Sequence, residues 1–169
     1  GYLADSRKRK GETQVRIAIL GQGSCFAMNL ASHLIERGDT VLGISRSPMR
    51  PAPFTYGLEA EPRFSYVERH LVTQLPQTMQ VLDDFMPDVI INFAALCEVG
   101  QSWNYALDYY ETNLMSLVRL TNELQARSWF KKFVQIGSSE VYGSVTFPAS
   151  ESSPIKPSSP YAASKAAFD

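Results

Sequence analysis

The sequence has few cysteines and no long apolar run. Its 169 residues include only Cys25 and Cys97, which lack metal-ligand spacing and are too few for a disulfide framework. No apolar stretch approaches the roughly 20 residues that a membrane-spanning helix needs, and no secretory signal is visible. We therefore predict a protein of the reducing cytoplasm, with no metal site and no membrane partner.

The sequence also lacks an excess of charge of either sign. It has 16 lysines and arginines against 17 aspartates and glutamates, for a net charge of −1. Phosphate binding needs a basic surface, so this balance argues against nucleic acid as the main partner. Hydrophobic residues make up 44% of the chain and charged residues 20%, as is typical of a globular protein. The length fits one domain, which we place at residues 15–169, behind a flexible tail or expression remnant at residues 1–14.

The first recognisable unit of the sequence consists of a strand, a glycine-bearing turn, a helix and a second strand. Residues 15–20 form an apolar run, residues 21–24 carry two glycines, residues 26–37 have apolar side chains at helical spacing, and residues 40–44 read as a strand. In such a unit the turn brings the backbone close to a pyrophosphate at the helix N-terminus, where free N–H groups favour anions.

The alternation of strands and helices continues to the end of the chain. We predict an irregular proline-rich loop at residues 48–62, strands at 64–67, 89–93 and 133–136, and helices at 75–86 and 101–127. This order predicts an α/β fold, a doubly wound parallel sheet with right-handed connections. Its ligand should lie at the carboxyl ends of the strands.

Two groups of polar residues near the end of the chain carry candidate chemistry. Ser138 and Glu140 follow the last strand, and Tyr161 and Lys165 lie one helical turn apart and so share a helix face. An ammonium beside a phenol favours the phenolate, so Tyr161 could transfer a proton near neutral pH while Ser138 holds an alcohol or ketone oxygen. A chance Tyr–Lys pair, and a turn or helix cap at Ser138, remain open alternatives.

In combination, these motifs resemble the cofactor-binding part of the extended short-chain dehydrogenase/reductases, the NAD(P)-dependent nucleotide-sugar epimerase and dehydratase family. The matching segments are residues 19–23, 91–95, 99–103, Asn113, 137–143 and 159–165. The resemblance covers nearly everything after the first dozen residues and implies a Rossmann-like sheet. Family members continue for about as many residues again, so it also implies that the part supplying most of the sugar pocket lies outside this sequence.

The resemblance implies a cofactor site built from many segments. Its residues are Gly21, Gly23, Ser24, Cys25, Phe26, Ser45, Arg46, His70, Leu71, Phe93, Ala94, Ala95, Asn113, Ile136, Tyr161 and Lys165. Asn113 could equally be a satisfied polar core residue, and His70 a surface histidine.

The glycine motif and the end of the second strand depart from the usual pattern. Ser24 and Ala27 stand where the family's second and third glycines are expected, which leaves open a turn that has lost its cofactor. After the second strand, Ser45 and Arg46 replace the acidic residue that binds the ribose of NAD. Because Arg46 could pair with a 2′-phosphate, we favour NADP over NAD, with a solvated arginine as the alternative.

The resemblance also implies a reaction and an assembly. Tyr161, Lys165 and Ser138 would oxidise a nucleotide sugar at C4, and Glu140 at C5 would direct a 4,6-dehydration. We place the 4,6-dehydratase slightly ahead of a 4-epimerase or a 4-keto-sugar reductase, and GDP-mannose 4,6-dehydratases share the hydroxyl, hydroxyl, glutamate order. A homodimer would form through the helices that contain Tyr109 and Tyr161. A non-catalytic dinucleotide-binding regulator and a partner-binding domain are the alternatives of other classes.

Overall fold

The computed structural model describes residues 14–51, 53–146 and 148–168, so nearly all of the predicted tail lies outside the described residues. Within those ranges, none of the helices combines the length and the apolar character that crossing a membrane requires. The described α-helices and strands, in chain order, are β1 (Arg16–Leu20), α1 (Cys25–Arg37), β2 (Thr40–Ser45), β3 (Phe64–Glu68), α2 (Leu75–Phe85), β4 (Val89–Asn92), α3 (Val99–Ser102), α4 (Ala106–Tyr110), α5 (Ser116–Gln125), β5 (Lys132–Gln135) and α6 (Pro160–Ala166).

The strands form one five-stranded sheet in the order β3-β2-β1-β4-β5, and the four strand pairs are all parallel. The chain reverses its direction across the sheet between β1 and β4, which is where open α/β sheets bind ligands. The pairing of Leu20 with both Ile44 and Asn92, and of Asn92 with Gln135, aligns the carboxyl ends of four strands. The predicted doubly wound parallel sheet is confirmed.

The core consists of two apolar layers on opposite faces of the sheet. Along β1, Ile17 and Ile19 pack with α1 on one face, whereas Ala18 and Leu20 pack with α2 and α5 on the other. Because both faces of a central parallel strand are buried, its residues read as a continuous apolar run rather than an alternating one. The layers hold β1 rigidly and so position the turn that follows it.

The region predicted to be mostly helical, residues 101–127, consists of several helical segments. The helical region starts at Val99, breaks after Ser102, resumes as α4, passes through a π-helical segment at Glu111–Met115 and continues as α5. The π segment contains Asn113, whose side chain bonds to backbone and side-chain groups distant in sequence. π segments are frequent at functional sites, and apolar spacing alone does not reveal them.

Candidate cofactor-binding and catalytic site

The turn after β1 requires glycine at its first position. Gly21 has a φ of +76°, and a side-chain carbon built there would lie 2.7 Å from Ala94 Cα and from the Phe93 carbonyl carbon. Its N–H donates to the Ile44 carbonyl at 2.8 Å. Gly21 therefore brings the ends of β1, β2 and β4 together, leaving the backbone bare where a flat ligand or a phosphate would approach.

Ser24, which departs from the glycine pattern, has a local structural role. It is the N-cap of α1, and its Oγ accepts a hydrogen bond from the Ala27 N–H at 3.1 Å. A serine at this position satisfies one of the free N–H groups of the first helical turn. The substitution is thus explained by helix capping, and the turn keeps its place against β4.

Gln22 fills the space beneath the turn, which the sequence did not reveal. Its side chain is buried, and its Nε2 donates to the Ala27 carbonyl at 3.3 Å. A side-chain carbon at Gly43 on β2 would lie 2.5 Å from Gln22 Cγ. The two residues are therefore complementary in size, and the glycine in β2 makes room for the glutamine.

A cavity of about 350 Å³ opens at the carboxyl ends of β1 to β4. Ten of the predicted cofactor-binding residues line it: Gly21, Gly23, Ser24, Ser45, Arg46, His70, Leu71, Phe93, Ala94 and Ala95. A second cavity of about 510 Å³ extends toward α4 and shares five lining residues with the first: Arg46, His70, Val72, Ala95 and Thr112. The bare backbone at Gly21, the partly apolar lining and the adjoining second cavity fit a dinucleotide.

Among the residues that the structure describes, three arginines line the first cavity, and no aspartate or glutamate does. Arg46 was predicted, whereas Arg50 and Arg69 were missed. Arg69 directly follows β3, a position that could have been found from the strand end, but Arg50 lies in the proline-rich loop, where no periodicity points to it. The loop after β2 is held by Tyr66, whose hydroxyl donates to the Ser47 carbonyl at 2.7 Å. This arrangement gives the cavity a positive potential that favours anions.

Helix α6 carries Tyr161 and Lys165. Ser159 caps it by accepting from the Ala162 N–H at 3.1 Å, and Pro160 occupies the first helical position, a combination typical of a helix start. Lys165 is 3% exposed, and its ammonium donates to the Ile136 carbonyl at 2.6 Å. The bond fixes the ammonium at the carboxyl end of β5, next to the segment that contains Ser138.

Ser138 and Glu140 form the start of a short 3-10 turn, Ser139–Tyr142. Ser138 Oγ accepts from the Glu140 N–H at 3.3 Å, so the capping alternative describes its local geometry. A hydroxyl that accepts one hydrogen bond still has its own proton to donate. The Glu140 side chain is exposed beside it. Capping and a substrate contact are therefore compatible at Ser138.

Asn113 joins the loop after β4 to α6. Its Oδ1 accepts from the Leu96 N–H at 2.8 Å, and its Nδ2 donates to the Leu96 carbonyl at 2.9 Å and to Ser164 Oγ at 3.0 Å. Ser164 in turn donates to the Tyr161 carbonyl at 2.7 Å. Asn113 is thus a satisfied core residue and at the same time a brace between two segments of the site.

The remaining predicted cofactor-binding residues are not among those that line this cavity. Cys25 and Phe26 are exposed in the first turn of α1, while Asn113, Ile136, Tyr161 and Lys165 lie on the side of β5 and α6. In the described ranges, no three His, Cys, Asp or Glu side chains are placed to hold a metal ion. The predicted residues thus form two groups at the carboxyl edge of the sheet. One group lines the first cavity, and the other lies near the end of β5 and on α6.

Known proteins match this chain in both sequence and fold. The model of the NAD dependent epimerase/dehydratase family matches residues 17–169. GDP-mannose 4,6 dehydratase 1 of Arabidopsis thaliana is 41% identical over 92 residues, which are 51% of this chain and 25% of that protein. UDP-glucose 4-epimerase of Mycolicibacterium smegmatis is 28% identical over 155 residues, 90% of this chain and 49% of that protein.

A solved structure agrees with these sequence matches. UDP-glucuronic acid 4-epimerase from Bacillus cereus, in complex with UDP-glucuronic acid and NAD, superposes with a TM-score of 0.78 at 25% identity, over 90% of this chain and 49% of that chain. The chain thus spans half or less of the length of each of these relatives. The family match extends from β1 through α6, across both groups of site residues. The chain belongs to the NAD dependent epimerase/dehydratase family.

Proposed function

We propose that this chain supplies the cofactor-binding part of an NAD(P)-dependent enzyme that modifies a nucleotide sugar through a 4-keto intermediate. The observation that carries the proposal is the placement of Lys165. Its buried ammonium is bonded to the end of β5, on the same short helix as Tyr161, beside a cavity with a bare glycine turn.

The side chains of this site would handle the protons and the sugar oxygen. Tyr161 would remove the proton of the sugar C4 hydroxyl, with the positive charge of Lys165 one helical turn away. Ser138 would donate a hydrogen bond to the same oxygen. A nicotinamide cofactor, when bound, supplies the hydride chemistry. The protein's contribution is to orient the sugar and to position the proton acceptor.

We propose a 4,6-dehydratase in preference to a 4-epimerase or a 4-keto-sugar reductase. A 4-ketone acidifies the C5 proton. Glu140 lies two residues after Ser138 and is exposed, so its carboxylate could take that proton while water leaves from C6. The match to a GDP-mannose 4,6-dehydratase supports this preference, and the match to a UDP-glucose 4-epimerase supports the runner-up.

Product masses test this choice directly. We expect the full-length protein, incubated with a panel of nucleotide sugars and cofactor, to form a product lighter by one water. The Glu140→Gln variant should lose dehydration by about a hundredfold, because the general base is gone. Glu36→Gln, an exposed carboxylate on α1, is the matched control.

Each other product mass would indicate a different function. An isomer of unchanged mass would identify an epimerase, and a gain of two hydrogens a reductase. Cofactor binding without any product would support the alternative of a non-catalytic dinucleotide-binding regulator. Full dehydration by Glu140→Gln would remove Glu140 from the mechanism.

We propose that NADP is the preferred cofactor. Arg46, Arg50 and Arg69 line one cavity, and none of the described residues in its lining is acidic. A 2′-phosphate would be attracted to such a set, since guanidinium groups form paired, charge-assisted hydrogen bonds with phosphate oxygens. The structure of UDP-glucuronic acid 4-epimerase from Bacillus cereus contains NAD, so the proposal of NADP for this chain rests on its arginines.

The Arg46→Ala variant tests the phosphate role. We expect its Kd for NADP to rise at least about tenfold, since a charge-assisted bond to phosphate is lost, while its Kd for NAD changes less than about twofold. Calorimetric titration of both cofactors measures the two constants. Arg119→Ala, an exposed arginine on α5, should leave both unchanged. Equal losses for NAD and NADP in Arg46→Ala would refute the phosphate contact.

We also propose a homodimer formed through the helices that contain Tyr109 and Tyr161. Leu107 on α4 is 85% exposed, and Met115 in the π segment is 39% exposed, so this face presents apolar side chains to solvent. Burial of such a patch is a common reason for association. A monomer in sedimentation of the full-length protein would exclude this assembly.

A further inference from the structure

We propose that Tyr109 is a positioning residue that sets the orientation of the Tyr161 ring and ties it to the loop after β4. The inference rests on the proposed function of Tyr161 and deepens it. It assigns a task to a buried phenol on α4 that takes no part in the proton transfer itself.

Tyr109 has two contacts with parts of the site that are distant from it in sequence. Its ring packs edge-on against the ring of Tyr161, with centroids 6.3 Å apart and planes at 82°. Its hydroxyl donates to the Glu98 carbonyl at 2.6 Å. Tyr109 is 4% exposed and Tyr161 is 9% exposed, so both rings are held by the surrounding protein. One side chain therefore connects α6 with the segment that borders the cofactor cavity.

The hydroxyl of Tyr109 acts as a hydrogen-bond donor. Burial raises the pKa of the Tyr109 phenol, the nearby carboxylate of Glu98 raises it further, and the group keeps its proton. The neutral phenol then donates to the Glu98 carbonyl, while its ring makes the T-shaped contact with Tyr161. The orientation of the Tyr109 ring is thus fixed at its far end.

Asn113 adds a second attachment one turn further along the same helical region. It contacts Ser164 on α6 and the backbone of Leu96, so Asn113, like Tyr109, connects α6 with the loop after β4. Tyr109 meets α6 at Tyr161, in its first turn, and Asn113 meets it at Ser164, next to Lys165. Helix α6 is thus contacted at two residues, and of the two contacts the one from Tyr109 is made with the Tyr161 ring.

Edge-to-face ring contacts are directional, so loss of this one should misplace the phenol rather than unfold the helix. A displacement of about 1 Å at a reacting group can lower turnover by about a hundredfold. The expected signature is therefore a lower kcat with an unchanged KM, since substrate binding does not depend on the ring angle.

Three variants of the full-length protein separate the ring contact from the hydroxyl bond. Tyr109→Leu keeps the site apolar but removes the ring, Tyr109→Phe keeps the ring but removes the bond to Glu98, and Tyr110→Leu is the matched control at the adjacent, half-buried position. We expect Tyr109→Leu to lower kcat by about a hundredfold, Tyr109→Phe by about threefold, and Tyr110→Leu by less than twofold, each with KM within about twofold.

A spectroscopic measurement makes the test independent of activity. In protein labelled with ¹³C at the tyrosine Cζ, the Tyr161 resonance is the one that disappears in Tyr161→Phe. It should shift in Tyr109→Leu and stay in place in Tyr110→Leu. An unchanged Tyr161 resonance in Tyr109→Leu would overturn the inference. So would a loss of kcat in Tyr109→Leu that is fully explained by a lower melting temperature of the variant. A shifted resonance in a protein that turns over no nucleotide sugar would support the positioning role while refuting the proposed function.

Discussion

Tyr161→Phe should reduce turnover by about a thousandfold while leaving cofactor binding within about twofold of the wild type, because a positioned proton acceptor contributes about 10² to 10⁴ in rate. The substitution removes only the hydroxyl oxygen. The ring remains to pack against Tyr109, and Lys165 remains bonded to the Ile136 carbonyl. Stopped-flow or steady-state assays of the full-length protein give the turnover, and calorimetry gives the cofactor Kd.

Tyr110→Phe provides the comparison for this result. Tyr110 lies beside Tyr109 on α4 and loses the same atom in the variant, but no predicted site includes it. We expect its turnover to match the wild type. If Tyr161→Phe retains wild-type turnover, the proton transfer proposed here is wrong, whatever cofactor the protein binds. If cofactor binding is lost together with turnover, the hydroxyl supports the cofactor rather than the sugar.

Gly21→Ala should destabilise the fold and remove cofactor binding together. A left-handed backbone costs a non-glycine residue about 1–2 kcal/mol, and overpacking against Phe93 and Ala94 adds about 1–3 kcal/mol. We therefore expect the free energy of unfolding to fall by about 2–5 kcal/mol, a large part of the ~5–15 kcal/mol that stabilises a typical domain. Urea denaturation measures the loss, and titration with NAD and NADP at a temperature where the variant is folded measures binding.

Two other glycines separate the backbone cost from the steric cost. Gly57 has a φ of +78° but nothing within 4 Å of an added side-chain carbon, so Gly57→Ala should lose only about 1–2 kcal/mol. Gly100 has neither a positive φ nor a close neighbour, and Gly100→Ala should lose nothing. Both variants should bind cofactor normally. If Gly21→Ala is as stable as Gly57→Ala, the end of β4 must move to make room for the added side chain. The close approach to β4 would then not explain the need for glycine at Gly21.

Local patterns were sufficient for the order of the elements. Apolar runs of strand length, helical spacing and terminating glycines place every strand to within two residues, as β2 and β4 illustrate. These signals come from neighbours in the chain, which is why helix and strand ends could be read from them. The turn after β1 and the spacing of Tyr161 and Lys165 could be found in the same way, because both are local patterns of neighbouring residues.

Contacts between distant segments could not be read in this way. Arg50 and Arg69 line the cavity with Arg46 only because the loop after β2 folds over the end of β3. The break and the π segment between α3 and α5 accompany bonds from Tyr109 and Asn113 to residues of other elements. No periodicity carries information about such bonds.

The sequence by itself determined the α/β class and the parallel sheet, because strands alternate with helices along the chain, and it placed Tyr161 and Lys165 one helical turn apart. Only the tertiary structure decided that Gln22 fits against Gly43, that three arginines share one cavity and that the Tyr109 ring lies against Tyr161. Those features depend on the packing of side chains far apart in the chain, and packing is specified by the whole core rather than by any one segment.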